Sequence, residues 1–341
     1  METLKDKILV IQTAFIGDAI LTLPMLQELK RMNPDFLIDV IGIPSTEEIF
    51  AASPAVNEVI VLDKRGKHKN IFDLNRFCRE IRKKNYSRIY SPHRSFRSSF
   101  IVFQSGVRET YGFNVNSLSY GYKYLIEYKE ADHEVQRNLS LIGADVTGEN
   151  WKIRPLVNIS KEQQEKVSCF LSDNKLNAFI TVAPGSIWQT KIYPSDYYQR
   201  IISHFCNKGL KVILAGSEKD ADLCNQLAEK RSDVINTAGK FSIIEMIELL
   251  KYSKILICND SAPTHFGQCA DIPVLTLYCS TTPSFGFYPY SKKSAYLSYD
   301  DLFCKPCGIH GRTECPIKTF ECGLNLKPAS IIQKIEEMIN G

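Results

Sequence analysis

Short apolar runs alternate with amphipathic stretches along most of the chain. Lys7-Ile8-Leu9-Val10-Ile11-Gln12-Thr13 predicts a buried strand, and the glycine-containing loop after it opens a helix over 19–32, in which Pro24 predicts a kink. Further strands are predicted at 37–42, 58–62 and 87–90, with a basic helix over 72–84, and Ser45-Thr46-Glu47-Glu48 reads as a capping box. The second half repeats the pattern, with strands at 178–182, 211–215, 234–235 and 254–257 and helices from Ser195 and over 243–251. Strands that alternate with helices predict parallel sheets, whose ligand-binding loops gather at the carboxyl ends of the strands. Between the halves, Lys152-Ile153-Arg154-Pro155-Leu156 reads as an extended crossing. The expected domains are 1–155 and 156–326, followed by a terminal helix in 327–341 with Ile331, Ile332, Ile335 and Ile339 at helical spacing.

Composition fits this division. A chain of 341 residues is about two ordinary domains, and two lobes imply a cleft. With 44% apolar and 23% charged residues the protein reads as globular, with no stretch of membrane-spanning length. The charged N-terminus, Met1 to Lys7, leads straight into a strand, so no signal peptide is expected and a cytoplasmic location is. Net charge is only +4, yet Lys64 to Arg108 holds thirteen Lys or Arg against Asp73 and Glu80. An anionic partner is expected for the first half, and a nucleic acid is not; for pairs such as Lys83-Lys84 a solvated helix face is the alternative.

Several loops carry candidate chemistry. Asp18 stands after the first strand, where open α/β sheets bind ligands, although a helix-capping acid would stand there too. After the fourth strand, His93, Arg94 and Arg97 lie in a stretch without a nearby acid, and arginine forks suit phosphate and carboxylate groups. His133 and Arg137 are four apart and so share a helix face. In the second half, Pro184 to Lys191, Gly216 to Glu218 and Asp260 to His265 should meet at one rim. There a lysine, a glycine turn, a carboxylate and a helix N-terminus can hold a nucleotide diphosphate, with Asp260 or Ser261 as cap and Pro263 in the first turn. The absence of Gly-x-Gly-x-x-Gly and of a Walker A sequence argues against a dehydrogenase and a P-loop enzyme.

Three segments, Gln12 to Pro24, Ala183-Pro184-Gly185-Ser186 with Thr190-Lys191, and Asn259-Asp260-Ser261-Ala262-Pro263-Thr264-His265, resemble in order those of the ADP-heptose:lipopolysaccharide heptosyltransferases, glycosyltransferase family 9. The resemblance implies a GT-B architecture: two Rossmann-like doubly wound domains facing a cleft, with the terminal helix crossing back onto the first. It also implies metal-independent, inverting transfer of heptose from ADP-heptose to a phosphorylated lipid A/Kdo inner core, with no catalytic cofactor and with peripheral contact at the inner membrane face. Asp18 would be the base and Lys191 would neutralise the donor diphosphate. Thr13, Gly17, Ser186, Gly216, Glu218, Asp260, Ser261, Ala262 and His265 would complete the donor site, Glu218 at the ribose. His93, Arg94, Arg97, His133 and Arg137 would face the acceptor. A sugar-nucleotide-binding protein or epimerase of the same architecture is the alternative.

Of the eleven cysteines, seven are scattered and read as reduced core thiols. The other four, Cys304, Cys307, Cys315 and Cys322, have a C-x2-C-x7-C-x6-C spacing that can close a structural zinc or iron site, with four free thiols as the alternative. This stretch also resembles the cysteine-rich finger of autotransporter heptosyltransferases, which implies bound iron and a protein acceptor as a second possibility.

Overall fold

The computed structural model describes residues 6–229 and 231–340; most of the charged N-terminal stretch (residues 1–5), Lys230 and Gly341 lie outside it. The chain forms two compact units that divide between Asn158 and Ile159, three residues beyond the expected boundary.

In the first unit the order is β1 (Lys7–Ile11), α1 (Ile16–Met32), β2 (Leu37–Gly42), α2 (Glu47–Ala51), β3 (Glu58–Val61), α3 (Ile71–Lys83), β4 (Arg88–Ser91), α4 (Phe96–Ser105), β5 (Glu109–Phe113), β6 (Tyr124–Ile126) and α5 (Glu134–Ser140). In the second it is α6 (Lys161–Asp173), β7 (Phe179–Ala183), α7 (Ser195–Asn207), β8 (Lys211–Leu214), α8 (Ala221–Ala228), β9 (Val234–Asn236), α9 (Ile243–Leu250), β10 (Leu256–Asn259), α10 (Pro263–Cys269), β11 (Val274–Tyr278), β12 (Ala295–Ser298), α11 (Glu321–Leu324) and α12 (Pro328–Asn340).

Each unit holds a parallel six-stranded sheet, ordered β3-β2-β1-β4-β5-β6 in one and β12-β11-β10-β7-β8-β9 in the other. The two orders are the same topology, the doubly wound pattern of the GT-B architecture. In each, strand order reverses at one pair, β1 beside β4 and β7 beside β10. Ligands bind open sheets outside the carboxyl ends of such a pair, and the residues after these four strands include most of those singled out in the sequence.

The sheets are held by continuous apolar strands. Ile8 to Ile11 and Phe179 to Val182 are fully buried, as strands covered by helices on both faces must be. α1 is buried along eight successive positions, Ala19 to Leu26, because it packs between α2 and α5; Pro24 is accommodated within one continuous helix. The expected capping box at 45–48 does not form, since Thr46 turns its hydroxyl back to the Ile43 carbonyl.

One assignment is corrected. α12 was expected on the first domain, but its buried Ile331 and Ile335 belong to the core of the second unit, and Glu336 meets His204 at 2.8 Å and also Lys208, both on α7. Its isoleucine stripe fits the apolar face of α7, whose Ile201, Ile202 and Phe205 are buried in the same core. Among the described residues, no helix is long and apolar enough to cross a membrane.

Candidate functional site

At the reversal point of the first unit, the loop after β1 and the loop after β4 are joined by hydroxyl and imidazole groups. Thr13 Oγ1 shares hydrogen bonds with His93 Nδ1 at 2.8 Å and Ser98 Oγ at 3.2 Å, and Ser95 Oγ closes the ring onto His93 at 3.2 Å. Lys64, from the loop after β3, donates to the Thr13 carbonyl. Burial, with Lys64 and Arg94 nearby, holds His93 down at about 4, so at neutral pH it is an uncharged hydrogen-bonding group. Thr13, expected at the donor, is buried in this first-unit ring. Gly17 and Asp18 lie in the first turn of α1, where the Asp18 carboxylate accepts the Phe15 N–H at 3.2 Å.

The two arginines after β4 differ. Arg97 donates to the carbonyls of Lys64, His68 and Lys69 at 2.8–3.2 Å, and so fixes the basic loop before α3. Its guanidinium, expected to face the acceptor, is engaged by these backbone carbonyls. Arg94 instead lies over the Tyr128 ring at 4.1 Å, and its guanidinium has no hydrogen bond or ion pair to a described residue. Lys64 is the cation that sequence reasoning passed over. Burial, with Arg97 and Arg65 beside it, lowers its ammonium to about 8, and an anion would relieve that crowding.

His133 and Arg137 are also corrected. His133 caps α5 by accepting the Val135 N–H at 3.2 Å and stacks on Trp151. Arg137 pairs with Glu134 at 2.9 Å and donates to the Lys129 and Glu130 carbonyls. Both are almost wholly buried, at 1% and 2% exposure, so neither presents its side chain to a ligand from solvent.

In the second unit, Lys191 closes a short turn after β7, and its ammonium meets the Asp260 carboxylate at 2.7 Å. Asp260 also accepts from Thr281 at 2.7 Å. Neither Asp260 nor Ser261 caps α10: the carboxylate is taken by Lys191 and Thr281, and Ser261 donates to the Asn259 carbonyl. His265 is buried, shares a hydrogen bond with Gln268, and is held down at about 4 by burial, so it brings no charge to an anion.

Asn259 places Lys191. Its amide donates to the Pro184 carbonyl at 2.7 Å and its oxygen accepts from the Tyr193 N–H at 3.0 Å and the Tyr198 hydroxyl at 2.9 Å, so one buried side chain grips both ends of the 184–193 loop. Gly185 and Gly216 admit Asp220 between their loops: a Cβ on Gly185 would lie 2.1 Å from an Asp220 carboxylate oxygen. Ser186 accepts the Trp188 N–H, Glu218 is exposed at the mouth of the next loop, and Ala262 leads into α10. Asn259 stood inside a quoted motif; its role was hidden because carboxamide partners come from distant loops.

Among the described residues, no group of three or more His, Cys, Asp or Glu side chains is arranged to hold a metal ion. The structure therefore does not support the expected four-thiolate site at Cys304, Cys307, Cys315 and Cys322, although the Cys307 and Cys315 thiols lie close enough to act on Cys322. Cys322 is drawn into the core of the second unit at α11, whereas Cys304, Cys307 and Cys315 remain on the irregular segment outside it. Part of that segment docks on the loop after β7. Thr190 exchanges hydrogen bonds with the Arg312 backbone at 2.8 and 3.0 Å, Trp188 stacks on His310, and a Cβ on Gly311 would lie 3.2 Å from the Lys191 side chain. Residues 310–312 therefore form a wall beside Lys191.

Residues 74–317 match the profile of glycosyltransferase family 9 (heptosyltransferase). The chain is 24% identical over 296 residues to lipopolysaccharide heptosyltransferase 2 of Salmonella typhimurium, covering 82% of this chain and 84% of that protein. Among solved structures, a glycosyltransferase family 9 protein from Veillonella parvula superposes with a TM-score of 0.84 at 22% identity, covering 99% of this chain and 98% of the other. Escherichia coli heptosyltransferase WaaC with ADP-2-deoxy-2-fluoro heptose gives 0.73 at 18% identity, over 97% and 99% of the two chains.

Proposed function

Because this chain belongs to glycosyltransferase family 9 (heptosyltransferase), we propose that it moves heptose from ADP-heptose to a lipopolysaccharide inner-core acceptor, with the nucleotide held by the second unit and the acceptor by the first. Membership of a transferase family sets aside the epimerase alternative. The observation that carries the site assignment is Lys191, paired with Asp260 and gripped through Asn259 at the reversal point of the second sheet. Lys191 neutralises the diphosphate, and Glu218 reaches the ribose. On the first unit, Arg94 and Lys64 supply positive charge for acceptor phosphates or carboxylates.

Asp18 takes the proton from an acceptor hydroxyl as that oxygen forms a bond to the anomeric carbon. The bond from that carbon to the diphosphate oxygen breaks, its electron pair leaves with ADP, and configuration inverts. Lys191 stabilises the charge that develops on the departing diphosphate. General-base removal of a proton is worth roughly 10² to 10⁴ in rate.

The test is mass spectrometry of products after mixing the protein with ADP-heptose and a heptose-less Kdo-lipid A, beside an Asp18→Asn variant. A heptose increment on the lipid, lost in Asp18→Asn, is the expected result. Heptose on a heptosylated core or on a protein substrate instead would reassign the acceptor, and failure to bind ADP-heptose would overturn the donor.

A further inference from the structure

Beside Asp18 stands a second carboxylate whose burial the fold goes to some length to maintain. Glu134 opens α5 at 7% exposure and accepts a hydrogen bond of 2.9 Å from the equally buried Arg137. Arg137 lies over one side of the Tyr128 ring at 4.8 Å, and Arg94 lies over the same ring at 4.1 Å. α1 and α5 are clamped together where the Asn138 amide donates to the Leu21 carbonyl at 3.1 Å. One turn earlier on each helix are Asp18 and Glu134.

We propose that Glu134 is a positioning residue for the base: held by Arg137, it sets how strongly the Asp18 carboxylate takes the acceptor's proton. This rests on the reading of Asp18 as the base.

The charged groups that face Glu134 are Asp18 from α1, Arg137 from α5 and Arg94 from the loop after β4, with the Tyr128 phenol beside them. Burial, then the charge on Asp18, pushes the Glu134 carboxyl up to about 7, against the opposing pull of the two arginines. At neutral pH it is therefore poised between its two forms. Neighbouring carboxylates titrate as a pair, and a negative charge on one raises the proton affinity of the other. An ionised Glu134 makes Asp18 a stronger base; a protonated one weakens it. Arg137 keeps the ionised form available at a depth where an unpaired carboxylate would stay neutral.

Steady-state kinetics across the neutral range, with ADP-heptose and the lipid acceptor, compare the wild type with Glu134→Gln, which keeps an oxygen for Arg137 and removes the charge. The expected result is kcat lowered about three- to tenfold, KM for both substrates unchanged, and the acidic limb of kcat/KM displaced to lower pH, because Asp18 loses its proton more readily without a negative neighbour. An acidic limb that stays in place would mean that Glu134 only packs, and would overturn the proposal. Asp18→Asn runs beside it: full activity there would overturn the base reading itself, whereas an inactive Asp18→Asn with an unmoved Glu134→Gln limb overturns this proposal alone. Should Glu134→Gln not fold, carboxyl ¹³C NMR reads the same coupling from the other side. The Glu134 titration midpoint should fall by about one unit in Asp18→Asn, and an unchanged midpoint would refute the coupling.

Discussion

Asn259 and Lys191 show how much single side chains decide. Lys191 carries the charge for a diphosphate, but its position comes from a carboxamide that bonds to the backbone on both sides of it. Replacing Lys191 by alanine should raise the donor KM about 10- to 100-fold, the worth of one charge-assisted hydrogen bond, as isothermal titration with ADP would also record. Asn259→Ala should weaken ADP binding and lower the melting temperature together, since it leaves the Pro184 carbonyl and Tyr193 N–H buried without partners. Lys191→Ala should also lower the melting temperature, since it leaves the half-buried Asp260 carboxylate without its counter-charge. At this scale Asp18, Lys191 and Asp260 could be singled out from the sequence as candidates, because each follows a strand at the edge where open sheets bind ligands. The sequence could not show how Arg97 and Arg137 are engaged, because nothing in the residue type tells a guanidinium facing an acceptor from one satisfied by backbone carbonyls.

Among the elements, the basic loop before α3 and the 310–312 wall are each held by groups from elsewhere in their unit. Arg97 binds three carbonyls of the first. Arg97→Lys, a point charge without the fork, should free that loop: amide exchange at 64–69 should quicken and acceptor KM rise while donor KM is unchanged. Thr190 anchors the second. Thr190→Val keeps the shape and deletes both bonds, so faster exchange at 310–312 and a higher donor KM are expected, and unaltered ADP affinity would show that the wall does not bear on the donor. Strands, helices and their alternation were legible because the apolar runs are continuous. Docking of the cysteine-rich segment was not, since it is made by backbone groups of an irregular loop that carries no periodic signal.

For the whole molecule, His93 and His265 contribute a response to acid. His93 and His265 are held at about 4 against an ordinary value of 6.5, so the unfolded chain binds more protons between those values. Stability from each is fully present above pH 6.5 and lost as pH falls toward 4, at about 1.4 kcal/mol per unit of displacement. Glu134, raised from 4.5 to about 7, acts in the opposite sense, its contribution lost as pH rises through 7. Two histidines outweigh one carboxyl, so thermal unfolding should begin earlier on acidification, and His265→Gln should flatten that slope. The first unit also exposes Ile71, Phe72 and Phe96, at the starts of α3 and α4, next to the loop of Lys64, Arg65 and Lys67. We propose this patch as the place of the peripheral membrane contact that the family resemblance implies, since apolar side chains among cations suit an anionic bilayer surface. Co-sedimentation with phosphatidylglycerol vesicles should exceed that with neutral ones, and Phe72→Ser with Phe96→Ser should reduce it.

By itself the sequence determined the two doubly wound halves, the family, and the loops in which the candidate residues lie, because hydrophobic periodicity and strand-to-helix turns are local properties of the chain. Tertiary structure decided which polar side chains remain available. It drew Arg97, His133, Arg137 and His265 into hydrogen bonds of the fold and set α12 against α7. It also brought Glu134 up beside Asp18. The physical reason is that a buried polar group must find its partner wherever the folded chain supplies one, and that supply comes from segments far apart in sequence.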